Sequence, residues 1–285
     1  MKRLLTALLL FCSATAFAQH RPYFVTYNAE MEEVGNLELN SISVVGSPRG
    51  GNTFWGSQAE FEYGATSWWT TSLYLDGQTT ANESTVFTGY RLENRFKPLK
   101  REHWINPVLY FEFAHINEAN KSLREIVGHD VEADQTEPNF ITHGEKEKEI
   151  ELKLILSSHV KGWNISENFI TERPLVSGDP WEFGYGFGFS RPLSFTPSQP
   201  GCRFCKENVQ LGAEFYGGLG DTDDLSLRNT SHYVAPVFAW QFSENANARV
   251  SPGFGLNDQS HRFLMRFSLT YEINGFGKKV KNLFH

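Results

Sequence analysis

The sequence predicts an all-β protein: a single antiparallel up-and-down transmembrane β-barrel of about twelve strands, with ten as the alternative. Three observations carry this. Segments of period-two alternation recur along the chain, with large apolar side chains on one face and glycines or charges on the other. Beyond the first residues, no apolar run is long enough to cross a bilayer as a helix. Long and short connections alternate between the segments, and the 7 tryptophans fall at or near segment ends.

Residues 1–18 read as a signal peptide, outside the fold. Lys2 and Arg3 form the positive start, Leu4 to Phe17 a short apolar run, and Ala16-Phe17-Ala18 a cleavage pattern that places the mature start at Gln19. The formal charge is −7, and losing Lys2 and Arg3 makes the chain more acidic still. That argues against a nucleic-acid partner, which needs clustered Lys and Arg. An exported chain with no helical anchor belongs in the periplasm, the outer membrane or outside. Residues 19–34 are expected as a periplasmic N-terminal segment, 35–274 as the barrel and 275–285 as a C-terminal tail.

The segments follow in order. The first and third, 35–47 and 66–76, alternate poorly, which keeps ten strands open. In the second, 53–64, Trp55, Ala59, Phe61 and Tyr63 oppose Gln58, Glu60 and Glu62. The fourth, 84–97, sets Arg91, Glu93 and Arg95 on one face, and the fifth, 106–116, carries Glu112. In the sixth, 146–157, Ile150, Leu152, Leu154 and Leu156 oppose Glu149, Glu151 and Lys153. The seventh is 161–173. The eighth, 180–194, is the clearest: Trp181-Glu-Phe-Gly-Tyr-Gly-Phe-Gly-Phe189 alternates aromatic residues with Gly and Glu182. In the ninth, 206–219, Val209, Leu211, Ala213 and Phe215 oppose Gln210, Glu214 and Tyr216. The tenth and eleventh are 230–242 and 245–256. In the twelfth, 261–274, Phe263, Met265, Phe267, Leu269 and Tyr271 oppose Arg262, Arg266 and Glu272.

Aromatic faces of this size need lipid or a second sheet, and mid-strand charges in a dry core would cost several kcal/mol each unless paired. A barrel with lipid outside and polar groups inside meets both demands. Two stacked sheets with Phe183, Phe187 and Leu152 between them would instead mean a soluble exported protein.

With both termini periplasmic, the outside joints include the longest, 117–145, and the acidic 220–229. The inner joints near 65, 158–160 and 243–244 are very short, while 98–105 and 195–205 depart from the rule. Trp55, Trp68, Trp69, Trp104, Trp163, Trp181 and Trp240 are expected in aromatic girdles at the lipid–water boundaries. Past the signal the only cysteines are Cys202 and Cys205, expected as a disulfide in an oxidising compartment.

These features resemble the outer-membrane β-barrels of Gram-negative bacteria and, more loosely, the uncharacterised transporter-type barrels that include the phenol-degradation-pathway type. The likeness rests on the signal, on Ala59-Glu-Phe-Glu-Tyr-Gly64 and Trp181-Glu-Phe-Gly-Tyr185, and on Phe267-Ser-Leu-Thr-Tyr-Glu-Ile273. It implies location in the bacterial outer membrane, contact with its lipid and its assembly machinery, and passage of an unknown small solute. The basic Lys278-Lys-Val-Lys281 after the last strand departs from the usual aromatic ending; the assembly signal is then expected within Phe267 to Ile273.

By parity the lumen-lining charges are Glu60, Glu62, Arg91, Glu93, Arg95, Glu112, Glu149, Glu151, Lys153, Glu182, Glu214 and Arg266. Acids outnumber bases, so they form either a mildly cation-preferring narrow pore or an ion-pair network that closes the lumen, leaving a structural or surface-binding barrel. The 117–145 loop holds Glu118, Glu125, Asp130, Glu132, Asp134, Glu137, Glu145, His129 and His143 without metal-ligand spacing, so a solvated acidic loop is expected, with no metal and no cofactor. His115, His232 and His261, with Asp221, Asp223 and Asp224, are the residues an outer-rim hydrolase would use. No nucleophile motif accompanies them, and no catalytic residue is assigned.

Overall fold

A computed structural model describes residues 21–122, 138–144, 146–175, 178–196, 198, 202 and 204–283. The expected signal peptide and most of the acidic loop lie outside these residues. Twelve strands form one closed barrel in sequence order, with β1 pairing β12. They are β1 Leu37–Ser47, β2 Phe54–Thr66, β3 Trp69–Thr80, β4 Thr85–Phe96, β5 Asn106–Asn117 and β6 Lys146–Val160. β7 Trp163–Pro174, β8 Glu182–Pro192, β9 Val209–Asp221, β10 His232–Ser243, β11 Ala246–Gly255 and β12 Phe263–Ile273 complete the wall. A short helix α1 (Asn139–Thr142) sits in the long loop, and α2 (Phe276–Leu283) follows the last strand.

All neighbouring pairs are antiparallel, and closure runs from Leu37 opposite Ile273 to Ser47 opposite Phe263. Closure removes every free strand edge, which is what a bilayer without water requires of a sheet. Twelve strands, and not ten, result because both poorly alternating segments pair on each side. The third strand is displaced from the expected 66–76 toward its C-terminal side. Gly77, Gln78, Thr79 and Thr80 read as a turn in the sequence, yet they pair with Phe54 to Ser57.

The two rims differ. One carries the long connection between β5 and β6; the other carries tight turns such as Lys161-Gly162, where both residues have positive φ (50° and 81°). That is the backbone signature of a two-residue hairpin turn. The tryptophans divide between the rims: Trp55 and Trp181 lie at the long-loop end, and Trp68, Trp69, Trp104, Trp163 and Trp240 at or near the short-turn end.

The pleat sorts side chains as the alternation requires. Leu73, Leu75, Leu92, Leu109, Phe111, Leu152, Leu154, Phe169, Phe238, Phe267 and Leu269 are exposed on the outer wall. In water this apolar belt would be a severe liability; against acyl chains it is the driving force for insertion. The stacked-sheet alternative is therefore excluded. Buried residues lie inside the barrel, and many are polar or charged.

Candidate functional site

The candidate site is the lumen. All twelve expected charges face it. Glu60, Glu62, Arg91, Glu93, Arg95, Glu112, Glu149, Glu214 and Arg266 are buried there, and Glu151, Lys153 and Glu182 are half-buried. They are not evenly spread. On β3 to β5, Arg91 reaches Asp76 at 3.0 Å and Glu112 at 3.1 Å. Arg95 pairs with Glu62 and, at 2.9 Å, with Glu93. Lys153 pairs with Glu151 on β6. Tyr74 donates to Glu60 at 2.6 Å, and Tyr110 donates to Glu112 at 2.8 Å. The wall from β8 to β12 is lined largely by small residues, among them Gly184, Gly186, Gly188, Ala235, Ser251 and Gly253, with Glu214, Arg249 and Arg266 standing among them.

The space that those small residues leave is filled by the chain itself. Residues 19–34 were expected as a periplasmic segment, but of its described residues 21–32 fold into the lumen, and Glu33 and Val34 are exposed at the rim. This strap is bound at every turn by polar groups of the wall. The Glu214 carboxylate accepts the backbone N–H groups of Phe24 (2.9 Å), Val25 (2.9 Å) and Thr26 (2.7 Å). Asn168 accepts from Tyr27 N at 2.6 Å and donates to Tyr27 O at 2.8 Å, as a strand neighbour would. Arg249 donates to the carbonyls of Arg21 (2.9 Å) and Tyr23 (2.8 Å). Before its bridge from Val34 to Gly64 the strap backbone must find such groups, because buried N–H and C=O left unpaired are costly.

Its side chains key into both halves. Tyr27 donates to Glu93 at 2.8 Å, and its ring lies 4.2 Å from the Arg21 guanidinium and 4.8 Å from the Lys153 ammonium. Tyr23 reaches Asn164 at 2.9 Å, and its ring lies against β8. A Cβ at Gly188 would stand 2.9 Å from that ring, so the glycine stripe of β8 is the mould for the strap. Where the strap leaves the barrel, a Cβ at Gly64 would stand 2.1 Å from the Glu33 carbonyl, and Gly35 N donates to Gly64 O at 2.8 Å. Residues 24–27 lie at the level of Glu214 and Asn168, and residues 30–33 run from there past Arg95 and Thr70 to Gly64 at the short-turn rim.

At the other mouth the start of the long loop also turns inward. Ala119, Asn120 and Lys121 are buried; Gln78 donates to Ala119 O at 2.6 Å and accepts from Lys121 N at 2.9 Å. Of the acidic loop, Glu125 to Glu137 and Glu145 fall outside the described residues. Glu118 is described but joins no metal-type cluster, and His143 contacts Asn139 O at 2.8 Å. Between strap and short-turn rim remains a cavity of about 340 Å³, lined by Glu30, Glu32, Glu62, Arg95, Asn247 and Arg249 among others. Burial, reinforced by Glu62, Glu38 and Glu272, pushes the Glu32 carboxyl up to about 9.

The rim histidines each have contacts in the structure. His232 contacts Tyr185 Oη (3.1 Å) and Leu227 O (2.8 Å), while Asp221 accepts the backbone N–H groups of Asp223 and Asp224, both at 2.7 Å. His261 is buried against Phe54, and His115 packs its ring near Tyr90. Cys202 and Cys205 are free thiols, not the expected disulfide; the extended backbone at Cys205 aims its Sγ at the Cys202 carbonyl, 3.2 Å away.

Sequence reasoning missed Asp76, Arg249 and the strap. Asp76 sat at the expected end of the third strand, and Arg249 in a segment whose alternation is interrupted by Pro252 and Gly253. The strap left one signal: Tyr23, Phe24, Val25 and Tyr27 form a run too apolar for a solvated tail.

With this geometry, comparison with solved structures is informative. An outer-membrane channel from Pseudomonas putida F1 is similar over 88% of this chain and 100% of its own, with a TM-score of 0.54 and 10% identity. The chain has the fold of bacterial outer-membrane β-barrels. The NanC porin (TM-score 0.49, 8% identity, 83% of this chain and 100% of that one) is more distant. So is the KdgM porin in complex with disordered oligogalacturonate (0.48, 6%, 83% and 98%). No protein-family model matches the sequence, and neither does any curated protein. Fold and apolar outer wall together place the chain in the outer membrane.

Proposed function

We propose that this barrel is a narrow, normally closed channel for small solutes, with the strap of residues 21–34 as its stopper. The observation that carries the reading is how the strap is held. Its backbone is held by hydrogen bonds and ion–dipole contacts to side chains of the wall, while Val25 and Tyr27 pack in two small apolar clusters with Phe54, Leu264, Val108 and Ile155. The polar contacts can be exchanged for water one by one, which leaves only these two small clusters to part when the strap is displaced. The β8 glycines support it further, since they leave an open groove once the strap is displaced. Excess carboxylates around the short-turn cavity favour cations over anions in whatever passes.

The test is planar-bilayer conductance of the mature chain beside a variant lacking residues 21–34. The channel reading expects rare, small openings in the first and steady, larger, cation-preferring conductance in the second. Silence from both, with the barrel folded and inserted, would remove it and leave the closed structural or surface-binding barrel.

A further inference from the structure

We propose that helix α2 is an interfacial anchor, lying along the membrane surface at the short-turn rim with its lysines on anionic phospholipid headgroups. The sequence supplies an amphipathic pattern. Phe276, Val280 and Leu283 recur at i, i+4 and i+7 and form one stripe, while Lys278 and Lys281 fall on the opposite side with Lys279 at the flank. Three lysines with no acid among Phe276–Leu283 stand out in a chain of formal charge −7.

Position supplies the rest. Gly275 N donates to Asn36 Oδ1 at 2.8 Å, and Gly277 N donates to Gly35 O at 2.9 Å, so the helix is tied to the rim beneath β1 and β2. The Phe276 ring meets that of Tyr63 edge-on at 6.4 Å. Tyr63 shares the outward, lipid-facing side of β2 with Trp55 and Phe61, so α2 begins at the outer edge of the rim and not under the lumen. Leu283, at the far end of the apolar stripe, is 80% exposed. An apolar stripe open to the surroundings beside a lipid-facing wall, backed by cations, fits an anionic lipid surface. The proposal rests on the membrane reading, and on the short-turn rim facing a phospholipid leaflet.

The test places an environment-sensitive fluorophore at Leu283→Cys in a Cys202→Ser, Cys205→Ser background. The mature chain is reconstituted into phosphatidylcholine vesicles with and without phosphatidylglycerol. The anchor expects blue-shifted emission, quenched by spin-labelled lipid and more strongly with phosphatidylglycerol. Lys278→Gln, Lys279→Gln and Lys281→Gln together should abolish that lipid dependence; each lysine near an anionic surface favours contact about fivefold. A probe in water in both lipids would overturn the proposal. So would a dry probe beyond the reach of lipid quencher, which would mean a protein contact, or quenching indifferent to lipid charge and to the lysines. Failure of the barrel to insert, read from lost heat-modifiable migration, would defeat the membrane reading as well and is a separate result.

Discussion

Glu214 is the residue on which strap docking should depend most. Its carboxylate receives three backbone N–H groups, and hydrogen bonds to a charged group contribute about 1.5–3 kcal/mol each. Glu214→Gln keeps the shape but turns one acceptor into a donor facing those N–H groups and removes the charge. Allowing for non-additivity, the loss should be about 3 kcal/mol of docking, roughly a hundredfold in the docked-to-free ratio. A strap displaced on the order of 0.1% of the time would then be displaced about 10% of the time. Single-channel recording reads this directly as open probability. The variant should open about a hundred times more often, to the same conductance level as the chain without residues 21–34. Heat-modifiable migration should not change, because the Glu214 side chain takes no part in the strand-to-strand hydrogen bonds of β9. If the deletion conducts while Glu214→Gln stays as quiet as the parent, the carboxylate does not hold the strap and the reasoning is wrong.

Four further outcomes follow from the same geometry. A carboxyl held at about 9 in the docked strap, against the ordinary 4.5 when free, favours docking below 4.5 and loses that advantage progressively up to about 9. Open probability should therefore rise across that window and then level off, and Glu32→Gln should flatten the profile; an unchanged slope in the variant would exclude Glu32 as its source. Gly188→Val drives a side chain into the Tyr23 ring and should cost the docked strap about 1–3 kcal/mol, seen as raised conductance or protease access to residues 21–34. Arg95→Ala leaves Glu62 and Glu93 without their shared cation, at a cost of about 3–5 kcal/mol, and should shift the reversal potential toward cations; a shift toward anions would contradict the assigned pairing. Leu152→Arg, placed in the lipid belt, should destabilise the inserted barrel by about 2–4 kcal/mol in denaturant titration, whereas a neutral result would mean that this face does not meet hydrocarbon.

The wall was legible in the sequence because its two environments differ sharply. Strands such as Ile150 to Leu156 and Trp181 to Phe189 meet lipid on one side and polar groups on the other, so parity alone picked out their inward charges, though not Asp76 or Arg249 elsewhere in the wall. Alternation fades where that contrast fades. Gln78 and Thr80 face inward and Thr79 outward, all polar, so the end of β3 looked like a turn. The strap has no period to read because Tyr23, Val25, Thr26, Tyr27 and Asn28 are enclosed on all sides. Its partners are equally hidden: Glu214 announces an inward charge, but that it binds a backbone and not a cation depends on a contact nearly two hundred positions away (|i−j| = 188–190). The glycines of β8 were visible as a stripe, and only the strap explains two of them, Gly188 through the Tyr23 ring and Gly186 through Thr26.

The strap's backbone is held by side chains of the wall and not by a place in the sheet. Withdrawing residues 21–32 would thus break no bond between neighbouring strands. The stiffness of the cylinder and the tightness of its stopper are therefore separate quantities. Selection could retune how readily the conduit opens through a few inward side chains, leaving untouched the hydrogen-bonded shell that keeps it in the bilayer.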